Sequence, residues 1–294
     1  MRTAIPGLAF ALTLLITAQA HAETDWTSVD TALGKSAVVQ GEIHRYGFPR
    51  TDLKVTLDGV AIKPALALGG WLSFEPMRDG ALVMGDLVLT ETEVNPVMSK
   101  LLESGIEITG VHNHLMRASP ATYYMHIHGH GDPVAMATAI RAALAESKTP
   151  FAATAAPAAQ TAQIELDTDK LDAAIGVKGR VNGGVYQFSV PRMAPITEDG
   201  IGIPPAMGTA IAINFQPTGG SKAAITGDFV VTAEEVNPMI RVLRENGIEV
   251  TAIHSHMLDE QPRLFFVHFW ANDDAVKLAE GLQAALSKIA VARN

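Results

Sequence analysis

The sequence contains no cysteine. That excludes disulfide cross-links and thiolate ligands, so stability must come from packed cores, and any transition-metal site must be built from nitrogen and oxygen donors. It also lacks a basic block, and its formal net charge is −9, which argues against a nucleic-acid partner. Past the N-terminus no run is long and apolar enough to cross a bilayer, which takes about 20 residues, so the mature chain is expected to have no membrane span. Charged residues make up only 18% of the chain and hydrophobic ones 48%, a globular rather than a disordered composition.

The N-terminus has a basic start (Met1-Arg2-Thr3), an apolar run over residues 8–16, and the ending Ala20-His21-Ala22. A charged start, a short hydrophobic stretch and a small-x-small ending form a secretory signal peptide. Residues 1–22 are therefore expected to direct export, with cleavage near Ala22 and a periplasmic or secreted product. No cysteine follows, so a lipid-anchored form is not expected.

The remainder is written twice. At an offset of 142 positions, Pro49-Arg50 meets Pro191-Arg192, Gly85-Asp86 meets Gly227-Asp228, and Glu93-Val94-Asn95-Pro96 meets Glu235-Val236-Asn237-Pro238. His112-x-His114 meets His254-x-His256, and His126 meets His268. A register held over a whole chain is the mark of duplication. The expected organisation is a first copy over 23–148, an Ala/Thr/Pro linker over 149–164, and a second copy over 165–294. In each copy a short apolar β-like run leads into Thr-x-x-Glu (Thr90/Glu93, Thr232/Glu235), which matches a capping box at a helix start. Gly105 and Gly247 suit the helix stop. A hairpin and a final helix follow, begun near Asp132 and Asp274. The fold class is α+β: a tandem duplication in which each copy is a largely antiparallel sheet with helices on one face.

Of the 10 histidines, most fall in the two hairpins: His112, His114, His126, His128 and His130, then His254, His256 and His268. On a strand, residues i and i+2 share a face. A hairpin folded symmetrically about Pro120 sets His114 opposite His126 and His112 opposite His128. One folded about Pro262 sets His256 opposite His268 and His254 opposite Trp270. Opposed Cβ atoms lie about 4.5–5.5 Å apart, so such rings could share an ion at about 2.0–2.1 Å. Imidazole ligation without thiolates points to zinc or copper. The expectation is one site in each copy, the second weaker than the first. Packed or interfacial histidines remain the alternative.

Familiar enzyme patterns do not fit. A metallo-β-lactamase wants Asp two residues past the second histidine, where Met116 and Leu258 stand. No His-Glu-x-x-His or Gly-x-Ser-x-Gly occurs. Glu93 and Glu235 read as capping groups, Asp86 and Asp228 as turn residues. Arg50 and Arg192 are the candidates for binding an anionic ligand.

Several strings resemble the LppY/LpqO family: Phe48-Pro49-Arg50-Thr51-Asp52-Leu53, Gly85-Asp86-Leu87-Val88-Leu89-Thr90, Glu93-Val94-Asn95-Pro96-Val97-Met98, Val111-His112-Asn113-His114-Leu115, and Met125-His126-Ile127-His128-Gly129-His130-Gly131-Asp132. The resemblance covers nearly all of the mature chain. It implies an exported bacterial protein and carries no activity with it. The functional expectation is a periplasmic protein that binds a transition metal. A metal-dependent hydrolase, or a module binding a small molecule or partner through its histidines, stands beside it. A cleft between the copies suits any of the three.

Overall fold

The computed structural model describes residues 24–151 and 164–292. The proposed signal peptide and most of the proposed linker lie outside these residues.

The first copy runs α1 (Trp26–Leu33), β1 (Val38–Gln40), β2 (Ile43–Pro49), β3 (Thr56–Leu57), β4 (Val60–Ala61), α2 (Pro64–Ala67), β5 (Gly69–Met77) and β6 (Gly80–Thr90). It ends with α3 (Glu91–Glu103), β7 (Glu107–His112), β8 (Thr122–Gly131) and α4 (Pro133–Leu144). The second copy repeats the order: α5 (Thr168–Ile175), β9 (Arg180–Asn182), β10 (Val185–Val190), β11 (Thr197–Glu198), β12 (Ile201–Gly202), a 3-10 turn (Pro205–Met207), β13 (Ile211–Gly219) and β14 (Lys222–Val231). Then come α6 (Ala233–Glu245), β15 (Glu249–His254), β16 (Glu260–Gln261), β17 (Phe265–Asp274) and α7 (Ala275–Leu286).

Each copy builds an antiparallel six-stranded sheet, ordered β1-β2-β5-β6-β8-β7 in one and β15-β17-β14-β13-β10-β9 in the other. The α+β class and the duplication hold. Strand alternation sorts the side chains. Leu87, Leu89, Met125 and Ile127 pack with Val97, Ala137 and Ile140 of the helices, while Asp86, Val88, Tyr124 and His126 face the other way.

That second face meets the other copy. Leu82 and Met84 pack into the second copy's core, and Val88 and Tyr124 share an apolar cluster with Val185, Ala224 and Trp270. The excursion holding β3, β4 and α2 lies over the opposite sheet. There the Lys63 backbone donates to Gln216 at 2.9 Å, and Gln216 donates back to the Ala61 carbonyl at 2.8 Å. The result is four layers: helices, sheet, sheet, helices. Large apolar residues on both faces of each sheet require such a sandwich.

Glu93 and Glu235 accept the backbone N–H of Thr90 and Thr232, each at 2.8 Å, the carboxylate half of a capping box. Asp132 and Asp274 cap the last helices through their side chains. Asp86 and Asp228 are not turn residues. Each sits within a long central strand, because the preceding glycine marks a close strand approach: a Cβ on Gly227 would overlap the Ala212 carbonyl oxygen.

Candidate metal centre between the copies

The hairpin register differs from the symmetric folding expected about the prolines. His112 pairs with Tyr124, Gly110 with His126, and Glu107 with His128, with an irregularity between Ile108 and Gly110. In the second copy His254 pairs with Phe266 and Ala252 with His268. Strands β7 and β15 end at the first histidine of each His-x-His, so the connection is longer than assumed and the hairpin centre moves. On the histidine side of the irregularity, from Gly110 to His112 and from Ala252 to His254, the displacement is an even number of residues, which preserves the face of each side chain. The histidines therefore still converge, with different neighbours.

They converge once, not twice. His112 stacks on His254 with ring centroids 3.4 Å apart, while His114 meets His268 at 3.5 Å and His126 meets His256 at 3.8 Å, each pair tilted by 30°. Every one of these contacts crosses from one copy to the other. Under the offset of the repeat, His112 and His254 are each other's equivalents. The other two pairs exchange with one another, as a pseudo-twofold axis through the cluster requires. Tyr124 and Phe266 close it from either side, stacked on His114 at 3.3 Å and on His256 at 3.5 Å. An inter-copy hydrogen bond from Thr109 Oγ1 to the His256 carbonyl holds the halves in register.

Two carboxylates complete the chamber. Asp86 is the cross-strand neighbour of His126, and Asp228 that of His268. Asp228 Oδ2 lies 3.2 Å from His256 Nε2, without hydrogen-bond alignment. Sequence reasoning missed both aspartates. The signal was there in the Gly-Asp pair kept in both copies, but assigning it to a turn hid its place beside a histidine.

The outer nitrogens of two rings are held by main chain. His268 Nδ1 donates to the Gly227 carbonyl at 2.7 Å, and His254 Nδ1 lies 3.3 Å from the Ser255 carbonyl. Such bonds fix the tautomer and aim the Nε2 lone pair inward. Inward, no aligned hydrogen bond meets it. Nε2 of His112, His114, His126, His254, His256 and His268, and Oδ1 of Asp86 and Asp228, are buried with no hydrogen-bond partner. Each such group costs about 1–3 kcal/mol. Left unmet, eight of them would rival the entire stability of a domain, about 5–15 kcal/mol, a cost that bound cations, with water at the remaining groups, would remove.

Three donor sets bring their ligand atoms within 4.8 Å of one another: His112, His114, His254 and His268; Asp228, His254, His256 and His268; and Asp86, His114 and His126. Each could hold a metal ion. Burial and the neighbouring rings hold His114, His126 and His256 well below the usual imidazole value. Burial takes His268 down to about 3, against the pull of Asp228. These rings are neutral, the form that ligates. Burial and the Asp228 charge push Asp86 up to about 8, with Arg45 opposing. Burial also raises Asp228, opposed by His268 and His254.

The other sequence candidates lie elsewhere. His128 and His130 continue along β8 beyond the chamber, beside Glu107 at 3.4 Å and Asp79 at 3.3 Å respectively. Arg50 and Arg192 are not free to take an anionic ligand. Arg50 is fully buried and committed to Glu93 at 2.8 Å, Asp52 at 2.8 Å and the Val88 carbonyl at 2.7 Å. Arg192 repeats this with Glu235 at 2.7 Å and the Val230 carbonyl at 2.8 Å. Both link the capping carboxylate to the sheet.

Residues 27–146 and 169–288 each match the model of the DUF1529 family, described as "Domain of Unknown Function (DUF1259)". The chain belongs to this family, with two copies of its domain. Each DUF1259 copy thus supplies one His-x-His, one further histidine and one aspartate to the shared chamber. No curated protein matches the chain. Among solved structures, the trimeric bacterial microcompartment shell protein PduB matches at 13% identity, covering 88% of this chain and 96% of that one, with a TM-score of 0.22. EtuB from Clostridium kluyveri matches at 7% identity, covering 86% and 89%, with a TM-score of 0.20. Likeness this low carries no argument about fold or function.

Among the described residues, no helix is long and apolar enough to cross a membrane.

Proposed function

We propose that this chain is an exported protein that binds a transition-metal ion, zinc or copper, in the chamber between its two DUF1259 copies. The observation that carries the reading is the convergence of six inward-facing imidazole nitrogens and two carboxylate oxygens, all buried and unpartnered. Neutral imidazole with a minority of carboxylate suits zinc and copper, and the absence of sulfur donors disfavours the softest ions. Export is supported by the N-terminal pattern and by the resemblance to the LppY/LpqO family.

Holding an ion fits better than hydrolysis. His126, His256 and His268 are 2%, 8% and 3% exposed, whereas a catalytic metal needs a coordination position that substrate can reach.

The test is metal analysis of untagged protein isolated from its native compartment, followed by calorimetric titration with zinc or copper after chelation. Tight binding is expected, and the double variant His126→Ala/His268→Ala should weaken it at least 100-fold. Protein that arrives metal-free and takes up neither ion would sink the reading.

A further inference from the structure

Beyond the chamber the pseudo-symmetry breaks, and it breaks in charge. On one flank, His128 stands two residues along β8 from His126, roughly 6.6 Å farther out. Its Nδ1 lies 3.4 Å from Glu107 Oε2 and its Nε2 3.8 Å from Glu198 Oε2. Glu198 belongs to the second copy. It is 5% exposed, and its Oε2 is buried without a hydrogen-bond partner. Glu198 is paired directly across β11 and β16 with Glu260, itself 1% exposed. Like charges directly opposed in a sheet repel, and among the described residues Arg263, 3.2 Å from Glu260, is the one Lys or Arg paired with them.

On the other flank the equivalent of His128 is Trp270. Its indole donates to Asp58 Oδ2 at 3.1 Å. Arg117 bridges Asp58 at 2.9 Å and Glu249, the equivalent of Glu107, at 3.0 Å. There an indole stands in the place of the imidazole, and a guanidinium already occupies both carboxylates.

We propose that His128 and Glu198 form an outer cation site, oriented by Glu107, through which ions reach the chamber from this flank alone. The spacing fits. Two donor atoms 3.8 Å apart can both touch an ion about 2.1 Å away. A carboxylate on the far ring nitrogen is the usual partner of a metal-bound histidine. Side-chain exposure falls along the route, from 66% at Glu107 to 14% at His128 and 5% at Glu198. A site with two protein ligands and water for the rest binds loosely, as a transit position must. The destination rests on reading the chamber as a metal site; the outer site itself does not.

The experiment uses the full mature chain and zinc or copper ions alone. Loading after chelation is followed by stopped flow, and the number and strength of sites by equilibrium titration. His128→Ala and the near-isosteric Glu198→Gln should each slow loading at least tenfold and remove one weak class of site, while the tight class keeps its stoichiometry and affinity. Circular dichroism checks folding, and Glu198→Gln retains the oxygen that can accept from the Leu258 backbone. Loading at the original rate with the weak class intact in both variants would overturn the proposal. If the wild-type chain shows no tight class yet loses a weak site in both variants, the outer site stands and the chamber reading fails.

Discussion

Arg50 and Glu93 show how one buried pair does several jobs. Burial pushes the Glu93 carboxyl up, but Arg50 and the backbone donors of Thr90 and Lys148 outweigh it and hold the group below its ordinary value of 4.5. The guanidinium in turn ties the helix start to the sheet through the Val88 carbonyl. Removing one partner of such a pair leaves an uncompensated buried charge, so Arg50→Ala is expected to cost about 3–5 kcal/mol in denaturant unfolding. The pH dependence has a definite sign. A carboxyl depressed in the folded state contributes stability that is fully present above its unfolded value, and that stability is lost as pH falls through the folded one. The gap between wild type and Arg50→Ala should therefore be widest near neutral pH and shrink below about pH 4.5. A pH-independent gap would contradict this account.

At the level of elements, strands and helices follow local rules, while connections do not. The helix α3 ends where Gly105 takes a positive φ of 75°, with nothing within 4 Å of where a Cβ would stand. Gly105→Ala should therefore cost about 1–2 kcal/mol through backbone conformation alone, measurable as a lower denaturation midpoint with unchanged metal content. The hairpins that follow are governed differently. Their register depends on where β7 stops and on the irregularity beside Thr109. Neither is written in the alternation of apolar and polar residues. The sequence pattern still decided which face the histidines occupy, because side chains alternate with a period of two.

For the whole molecule, the decisive contact is the closeness of the two sheets at the histidine chamber. A Cβ on Gly110 would lie 2.9 Å from the Ser255 carbonyl oxygen and 3.3 Å from His126 Cδ2. Gly110→Val is expected to push the copies apart, destabilise the fold by about 1–3 kcal/mol, and reduce metal affinity although no ligand has changed. Unaltered affinity in a destabilised protein would show that the chamber does not depend on this approach.

The sequence by itself determined the duplication, the class of fold, the helices begun near Thr90, Asp132, Thr232 and Asp274, though not α1, α2 or α5, and the gathering of His112, His114, His126, His254, His256 and His268 on the hairpins. Each is encoded locally or by the repeat offset. Only the tertiary structure decided that the two sets form one chamber, that Asp86 and Asp228 belong to it, and that His128 and His130 stand outside. The reason is physical: a sheet with apolar residues on both faces must bury the second one, and here each copy buries it against the other. That packing of sheet on sheet places residues 142 positions apart in contact, which no pattern within either copy could reveal.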